Sequence, residues 1–310
     1  MRLGADRAFA PAAALLAHVT GVAMSPATLR RLTLAAGTTM RQLASGDTVW
    51  ADGAAAAEGP LQLSVDGSMV QLHAEGWREV KLAAIGKRAA AGPLTAPSST
   101  ATLGDAATFG HEALGELARR GVPWATDVVA VNDGAAWIQG FLDLHCPQAG
   151  RVLDVAHAAG YLAPAAHAAY GAGTPAAQRW FATQRHEVRH GDPDRMLAAL
   201  AALPLSAERD QAIAYLTARR DQIAYRDVVA RGWPIGSGCV ESAHTGMRWS
   251  RAGAQGMLAL RLVGANARWA DRWSQVLGHQ RAARRGTVAP RRAARPRLVQ
   301  DGRPTADHPW

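Results

Sequence analysis

The 310-residue sequence predicts an α/β protein in which a mixed sheet is followed by a long run of helices. Three observations lead to this fold class. Short β-rich runs separated by turn dipeptides fill residues 61–86, which is typical of an antiparallel meander. Strand-like and helix-like segments then alternate, which indicates parallel strands joined by crossovers. Helical periodicity dominates residues 157–231.

The N-terminal part, residues 1–50, is predicted to be helical. A Ser-Pro pair at 25–26 opens its second helix, because serine caps helices and proline fits the first helical position. Gly37 is the predicted end of that helix. Two short helices around a tight turn, with Arg30 and Arg31 on the second, resemble a helix-turn-helix, but the pattern favours an ordinary helical hairpin over a DNA reader.

The first part of the predicted sheet is a meander of three short strands. Asp66-Gly67 and Glu75-Gly76 are expected at the turns, because such dipeptides are frequent turn formers. The predicted strands cover residues 61–66, 69–73 and 77–86. The Ala/Pro/Ser/Thr-rich residues 90–104 are predicted to be a loop.

The second part alternates helices and strands. A helix is expected over 106–120, and the apolar run TDVVAVND predicts a buried strand that ends at Asp133. AAWIQGFLDLH predicts a further helix, and RVLDVAHA predicts another short strand. Because functional sites of α/β sheets collect at the carboxyl ends of strands, Asp66 and Asp133 are candidate site residues.

The charge balance favours an acidic partner. The chain has 34 Lys and Arg residues against 25 Asp and Glu, a net charge of +9, and only Lys81 and Lys87 are lysines. The planar guanidinium suits phosphate, although Arg and Ala enrichment also accompanies GC-rich coding. Nucleic acid is the commonest partner of such a chain.

Cysteine usage and hydropathy predict a cytoplasmic protein without a membrane partner. Cys146 and Cys239 are the only cysteines, so neither a zinc-binding spacing nor a disulfide framework is expected. No uninterrupted apolar stretch approaches the roughly 20 residues that span a bilayer.

Three carboxylates are the candidates for chemistry. Asp66 and Asp133 are each followed by glycine, so either one alone indicates only a turn, and together they form a candidate metal pair. Glu241 follows the glycine-rich turn GWPIGSG at the start of a predicted helix. Three converging carboxylates would repel one another unless divalent cations neutralise them, and Mg²⁺ prefers carboxylates together with water and phosphate oxygens. A pair of such ions can clamp the attacking and leaving oxygens of a phosphodiester.

Five blocks of sequence carry a specific pattern in a fixed order: SVDGSMVQLHAEGWREVKLAAIG, VNDGAAWIQ, VLDVAHAAGYL, YRDVVARGWPIGSGCVES and MRWSRAGAQGMLALR. Together they resemble bacterial insertion-sequence transposases of the Kra type, which belong to the DDE superfamily with a ribonuclease-H-like core. The resemblance runs from about residue 8 to about residue 275.

The resemblance implies a mechanism and a site. Asp66, Asp133 and Glu241 match the catalytic Asp-Asp-Glu and would hold two Mg²⁺ or Mn²⁺ ions. Hydrolysis of a phosphodiester at the element end would release a 3′-hydroxyl, which would then attack target DNA. DNA and further copies of the chain are the implied partners, and the implied location is the nucleoid in the cytoplasm.

Further residues are candidates for accessory roles. Asp154 and His157 resemble the Asp-x-x-His element of the Mutator-like group, while a histidine packed below the sheet edge explains His157 equally well. Candidate DNA-binding residues are Arg179, Trp180, Arg248 and Arg251, for which ordinary amphipathic or exposed helical faces are the alternative explanations.

Two departures from the family pattern open a second functional hypothesis. The chain begins inside the pattern without the usual N-terminal recognition region. Only AHTG separates Ser242 from Met247, where the family carries a longer basic helix. The chain could therefore be a truncated, inactive transposase remnant that only binds DNA. A ribonuclease-H-like nuclease that cuts without joining is a third alternative.

These observations predict five regions along the chain. They are an N-terminal helical segment over 1–50, the first part of a ribonuclease-H-like core over 61–160, an all-helical insertion over 161–231, the completion of the core with Glu241 over 232–280, and a basic disordered tail over 281–310.

Overall fold

The computed structural model describes residues 1–45, 59–88, 94–237 and 249–293. Its five strands are β1 (Leu61–Leu72), β2 (Gly76–Lys87), β3 (Thr95–Thr102), β4 (Val128–Asn132) and β5 (Gly150–Leu153). They form one sheet in the order β3-β2-β1-β4-β5. The first three strands pair antiparallel, and β4 and β5 continue the sheet in parallel with β1. The predicted α/β class with a mixed sheet is confirmed.

Helices occupy most of the remaining described chain. The N-terminal and central helices are α1 (Arg2–Asp6), α2 (Phe9–Thr20), α3 (Pro26–Ser45), α4 (Ala106–Arg119), α5 (Ala136–His145) and α6 (Val155–Tyr170). The later helices are α7 (Pro175–His190), α8 (Pro193–Ala201), α9 (Ala207–Thr217), α10 (Tyr225–Ala230), α11 (Arg251–Ala265) and α12 (Trp269–Ala293). The helical run predicted for 157–231 therefore consists of most of α6 followed by α7 to α10.

The predicted break of the first strand at Asp66-Gly67 is wrong. Both β1 and β2 are 12-residue strands, paired without interruption from Leu61 opposite Lys87 to Leu72 opposite Gly76. Gly67 stays in the strand because its missing side chain makes room for another residue. A Cβ at Gly67 would lie 2.0 Å from Oε1 of Glu79, whose carboxylate pairs with Lys81.

The residues predicted to be a loop at 90–104 contain the edge strand β3. Proline lacks a backbone donor and is tolerated in an edge strand, where Pro97 lies. Asn266, just after α11, covers this edge: its Oδ1 accepts a hydrogen bond from Ser99 N at 2.6 Å, and its Nδ2 donates to Ser99 O at 2.8 Å. A distant part of the chain thus completes a strand whose local composition indicates a loop.

Two other predicted boundaries also move. The RVLDVAHA segment is a strand only to Leu153, because the side chain of Asp154 caps α6 and starts a helix there. Helix α12 continues to Ala293, so residues 281–293 are helical rather than disordered. The rest of the predicted tail lies outside the described residues.

The two faces of the sheet carry different cores, and this decides where the polar side chains of β1 and β4 lie. One core joins α4 and α5 to Leu61, Leu63 and Val65 of β1. The other core joins α6, α8, α9 and α10 to Val129 and Val131 of β4. Since side chains alternate along a strand, Asp66 and Asp133 both belong to the second face.

A third core joins the two ends of the described chain. Met40 of α3 packs in one cluster with Trp249, Met257 of α11 and Val276 of α12. Helix α3 does not end at Gly37 as predicted, but runs on to Ser45. The reason is close packing, since a Cβ at Gly37 would lie 2.4 Å from the carbonyl oxygen of Gly256.

This crossing predicts the effect of Gly37→Ala. The added methyl group would meet backbone that cannot rotate away, so α3 and α11 must separate. We expect the free energy of unfolding to fall by about 1–3 kcal/mol, the usual cost of overpacking. Urea unfolding of the full chain measures this loss. Gly140→Ala is the matched control, because a Cβ there meets nothing within 4 Å, and alanine is the better helix former.

Candidate active site

The sheet brings three aspartates to one edge. Val65 pairs with Asn132 across β1 and β4, and Asn132 pairs with Leu153 across β4 and β5. The residues that follow these three are Asp66, Asp133 and Asp154. The three aspartates are therefore level with one another on neighbouring parallel strands, Asp66 within β1 and the other two directly after β4 and β5. Asp66 lies inside β1 rather than at its end, but it lies level with the carboxyl end of β4. The prediction that Asp66 and Asp133 come from adjacent strands agrees with this register.

The electrostatics of Asp66 reflect this crowding. Partial burial, followed in effect by the negative charges of Asp133 and Asp154, raises the pKa of Asp66 above its ordinary value. A hydrogen bond from Gly67 N at 2.7 Å and the nearby His157 oppose that shift. A carboxylate whose pKa is raised by neighbouring negative charges would gain from a cation beside it.

A tight turn orients Asp133. Its Oδ1 accepts a hydrogen bond from Ala135 N at 2.9 Å, and Oδ1 of Asn132 accepts one from Gly134 N at 2.8 Å. Gly134 has φ +75°, the left-handed region that favours glycine. The Asp-Gly pair of the sequence is thus a genuine turn at this strand, unlike the one in β1.

Side chains from the helical region, residues 161–231, bind backbone carbonyls of the same turn and of the neighbouring strand end. Tyr215 Oη donates to the carbonyl of Asp133. Arg219 donates to the carbonyl of Gly134 from Nε at 3.1 Å and from Nη2 at 2.6 Å. Tyr225, fully buried, donates from its hydroxyl to Leu153 O at 2.9 Å, directly before Asp154. We call Tyr215, Arg219 and Tyr225 the carbonyl clamp.

Asp154 uses both carboxylate oxygens within the protein. Its Oδ1 accepts hydrogen bonds from Ala156 N at 2.8 Å and His157 N at 3.0 Å, which caps α6. Its Oδ2 accepts from Ser237 N at 2.7 Å and Ser237 Oγ at 2.9 Å. Asp154 therefore joins the start of α6 to the glycine-rich turn that leads to Glu241 in the sequence.

The turn itself is held against β5 by packing and by one further hydrogen bond. Val155 N donates to Ile235 O at 2.9 Å. The Trp233 ring occupies the space beside Gly150, where a Cβ would lie 2.1 Å from the indole. Ser237 thus has a defined position next to Asp154.

His157 lies on α6 among aromatic rings. Its imidazole is 5.6 Å from the ring of Tyr161 and 5.9 Å from that of Tyr215, centroid to centroid. It is half-buried and close enough to Asp66 to lower the pKa of that carboxyl. This placement agrees with both hypotheses for His157, a packed histidine and a group that faces the carboxylates.

The third member of the expected triad, Glu241, lies outside the described residues, as does Arg248. The described chain ends at Ser237 and resumes at Trp249. Trp249 N donates to Gln71 O at 3.1 Å, and Trp249 O accepts from His73 N at 2.7 Å, at the far end of β1.

The remaining basic and aromatic candidates differ in how free they are. Arg179 is exposed on α7, whereas the Trp180 ring packs against the core of the second sheet face. The Arg251 guanidinium is bound by Glu75, with Nε 3.0 Å from Oε1 and Nη2 2.6 Å from Oε2. Arg179 is thus available to a partner, and Arg251 already has an acidic one.

A divalent cation would find two available carboxylates at this edge. Within the described ranges, no group of three or more His, Cys, Asp or Glu side chains is placed to hold a metal ion. Asp66 and Asp133 keep free oxygen lone pairs, while the oxygens of Asp154 already accept four hydrogen bonds. Two carboxylates together with water suit Mg²⁺, which retains several water ligands.

No protein-family model matches the sequence, and no curated protein matches it significantly.

In the part of the chain that the structure describes, no helix has the length and apolar character needed to cross a membrane.

The sequence did not reveal the carbonyl clamp. Tyr215 and Arg219 are four residues apart, which places them on one face of a helical stretch. That spacing is common and does not indicate which distant backbone groups the side chains contact.

Proposed function

We propose that this protein is a DDE-type DNA transposase with a ribonuclease-H-like core, in which Asp66, Asp133 and Glu241 carry out metal-dependent cleavage and strand transfer. The observation that carries the proposal is the register that brings Asp66 and Asp133 level on adjacent strands and onto one face. They are 67 positions apart in the sequence, and each is followed by glycine. The mixed sheet, an antiparallel meander joined to parallel strands, supports the same fold.

The chemistry of the two aspartates fits the role. Divalent ions held by Asp66 and Asp133 would neutralise negative charge at the attacking and leaving oxygens of a phosphodiester. Asp133 is oriented by its own turn, and Asp66 is restrained by the hydrogen bond from Gly67. Glu241 would complete the set from a segment that starts four residues earlier at Ser237, beside Asp154.

The charge of the chain supports DNA as the substrate. The net charge is +9, and nearly all basic residues are arginines. Exposed arginines such as Arg179 would neutralise phosphates and release counterions, so binding should weaken steeply as salt is raised. Assembly of several copies on DNA belongs to the same proposal.

Product analysis on plasmid DNA tests this function. We expect the purified chain to nick supercoiled plasmid in Mg²⁺ or Mn²⁺, and to join a labelled oligonucleotide with a free 3′-hydroxyl to it. Calcium is the matched control, because its larger and looser coordination shell is a poor substitute for magnesium.

The outcomes separate the alternatives. Nicking together with joining supports a transposase. Nicking without joining would favour a nuclease of the same fold, and salt-sensitive DNA binding with no metal-dependent nicking would favour an inactive remnant. Either of the latter two results would overturn the proposal as stated.

A further inference from the structure

The helical region, residues 161–231, contacts the sheet edge at backbone carbonyls. The carbonyl clamp reaches three backbone oxygens, those of Asp133, Gly134 and Leu153, and all three directly follow or end β4 and β5. One of these carbonyls belongs to Asp133 itself, and another belongs to Leu153, the residue before Asp154. The contacts with the turn after β4 fix the main chain, so they leave the Asp133 carboxylate unblocked.

The clamp is a connected unit rather than a set of isolated bonds. The Arg219 guanidinium lies 3.7 Å from the centroid of the Tyr215 ring and donates from Nη1 to Tyr215 O at 3.1 Å. Tyr215 stacks on Tyr161 of α6, with centroids 4.0 Å apart and ring planes 12° apart.

The carbonyl clamp leaves no room for a side chain at Gly134. A Cβ at Gly134 would lie 2.5 Å from Arg219 Nε and 2.6 Å from Tyr215 Oη. The turn after Asp133 therefore needs glycine for two reasons, its positive φ and the close approach of the clamp.

We infer that Tyr215 and Arg219 are positioning residues, through which the helical region holds the turn after β4 and so sets the direction of the Asp133 carboxylate. The inference rests on the proposed function for its catalytic consequence, but the ordering of the turn can be measured independently. Tyr225 supports the neighbouring strand end in the same way. The helical region is thus part of the active-site scaffold.

Backbone amide exchange tests the ordering directly. In Arg219→Gln, and to a smaller extent in Tyr215→Phe, we expect exchange at Gly134 and Ala135 to become faster by about tenfold, since a charged donor to a half-buried carbonyl is lost. Arg219→Lys, which keeps one donor and the charge, should restore part of the protection. Arg220→Gln is the matched control: it removes the same charge one residue later, where the guanidinium pairs with Asp194 and not with the turn.

Cleavage kinetics test the catalytic consequence. We expect Arg219→Gln and Tyr215→Phe to lower kcat of Mg²⁺-dependent nicking and to raise the Mg²⁺ concentration that gives half-maximal rate, while KM for DNA stays within about twofold. A purely structural role would lower the amount of active protein without moving the Mg²⁺ dependence.

The exchange rates of the variants decide whether the clamp orders the turn. Faster exchange at Gly134 and Ala135 in the clamp variants, with Arg220→Gln unchanged, supports the inference. Unchanged exchange in both clamp variants, or an equal effect in Arg220→Gln, overturns it. If the wild-type chain shows no metal-dependent cleavage, the proposed function fails, and the exchange data still decide whether the clamp orders the turn.

Discussion

Asp66→Asn and Asp133→Asn are each expected to reduce metal-dependent nicking by about 10³-fold. The estimate follows because metal ions contribute several kcal/mol to such a transition state, and each 1.36 kcal/mol corresponds to a factor of ten in rate. Either substitution removes one of the two carboxylates that, among the described residues at this edge, keep free oxygen lone pairs for a cation. Initial rates on supercoiled plasmid, measured over a range of Mg²⁺ concentrations, check this result.

Stability measurements distinguish lost chemistry from lost folding. The pKa of Asp66 is raised in the folded chain, so its charged form costs folding free energy once the pH exceeds the unfolded value, and the cost is complete above the folded value. Asp66→Asn removes that charge, and we expect it to raise the free energy of unfolding at pH 7 by no more than about 1 kcal/mol after solvent screening. Asp143→Asn is the control for cleavage, because Asp143 is an exposed acid on α5 that pairs with Arg151. Wild-type cleavage rates in both aspartate variants would contradict the proposed site.

Asp154→Ala is expected to be the most destabilising single change at the sheet edge. It removes the cap of α6 and both hydrogen bonds to Ser237. Loss of an N-cap costs about 0.5–2 kcal/mol, and hydrogen bonds to a charged group contribute about 1.5–3 kcal/mol, so a total loss of about 2–5 kcal/mol is expected. Urea unfolding monitored by circular dichroism measures it.

Two comparisons identify the source of that loss. Asp192→Ala removes the N-cap of α8. Within the described ranges this carboxylate accepts a single hydrogen bond, from Asp194 N at 2.9 Å, so the expected cost is that of a cap alone. Ser237→Ala combined with Asp154→Ala should cost less than the sum of the two single changes, because both remove the same contact. Strict additivity would show that the contact between Asp154 and Ser237 does not stabilise the fold.

The candidate aspartates could be predicted from local sequence, but not all of their surroundings. Asp133 follows a short apolar run and precedes glycine, which correctly indicates a strand end and a turn. The same dipeptide at Asp66 lies inside a long strand, because Glu79 from the neighbouring strand fills the space beside Gly67. Local sequence contains no sign of that cross-strand contact.

Structural features that depend on residues distant in the chain could not be predicted from the sequence. The Thr/Ser/Ala-rich β3 has weak strand character and becomes an edge strand because Asn266 pairs with Ser99. Glycine often ends a helix, yet Gly37 lies within α3 and allows α3 and α11 to cross closely. Tyr215 and Arg219 contact residues more than 80 positions earlier, so only the assembled fold reveals them.

The close crossing of α3 with α11 has a consequence for biosynthesis. Residues 26–45 leave the ribosome before the whole sheet has been made, and their partner at residues 251–265 emerges only after β5 and the helices that follow it. The side of α3 that packs on α11 therefore lacks its final partner while the middle of the protein is synthesised. The amino-terminal helices are the first to be synthesised and among the last to reach their final packing.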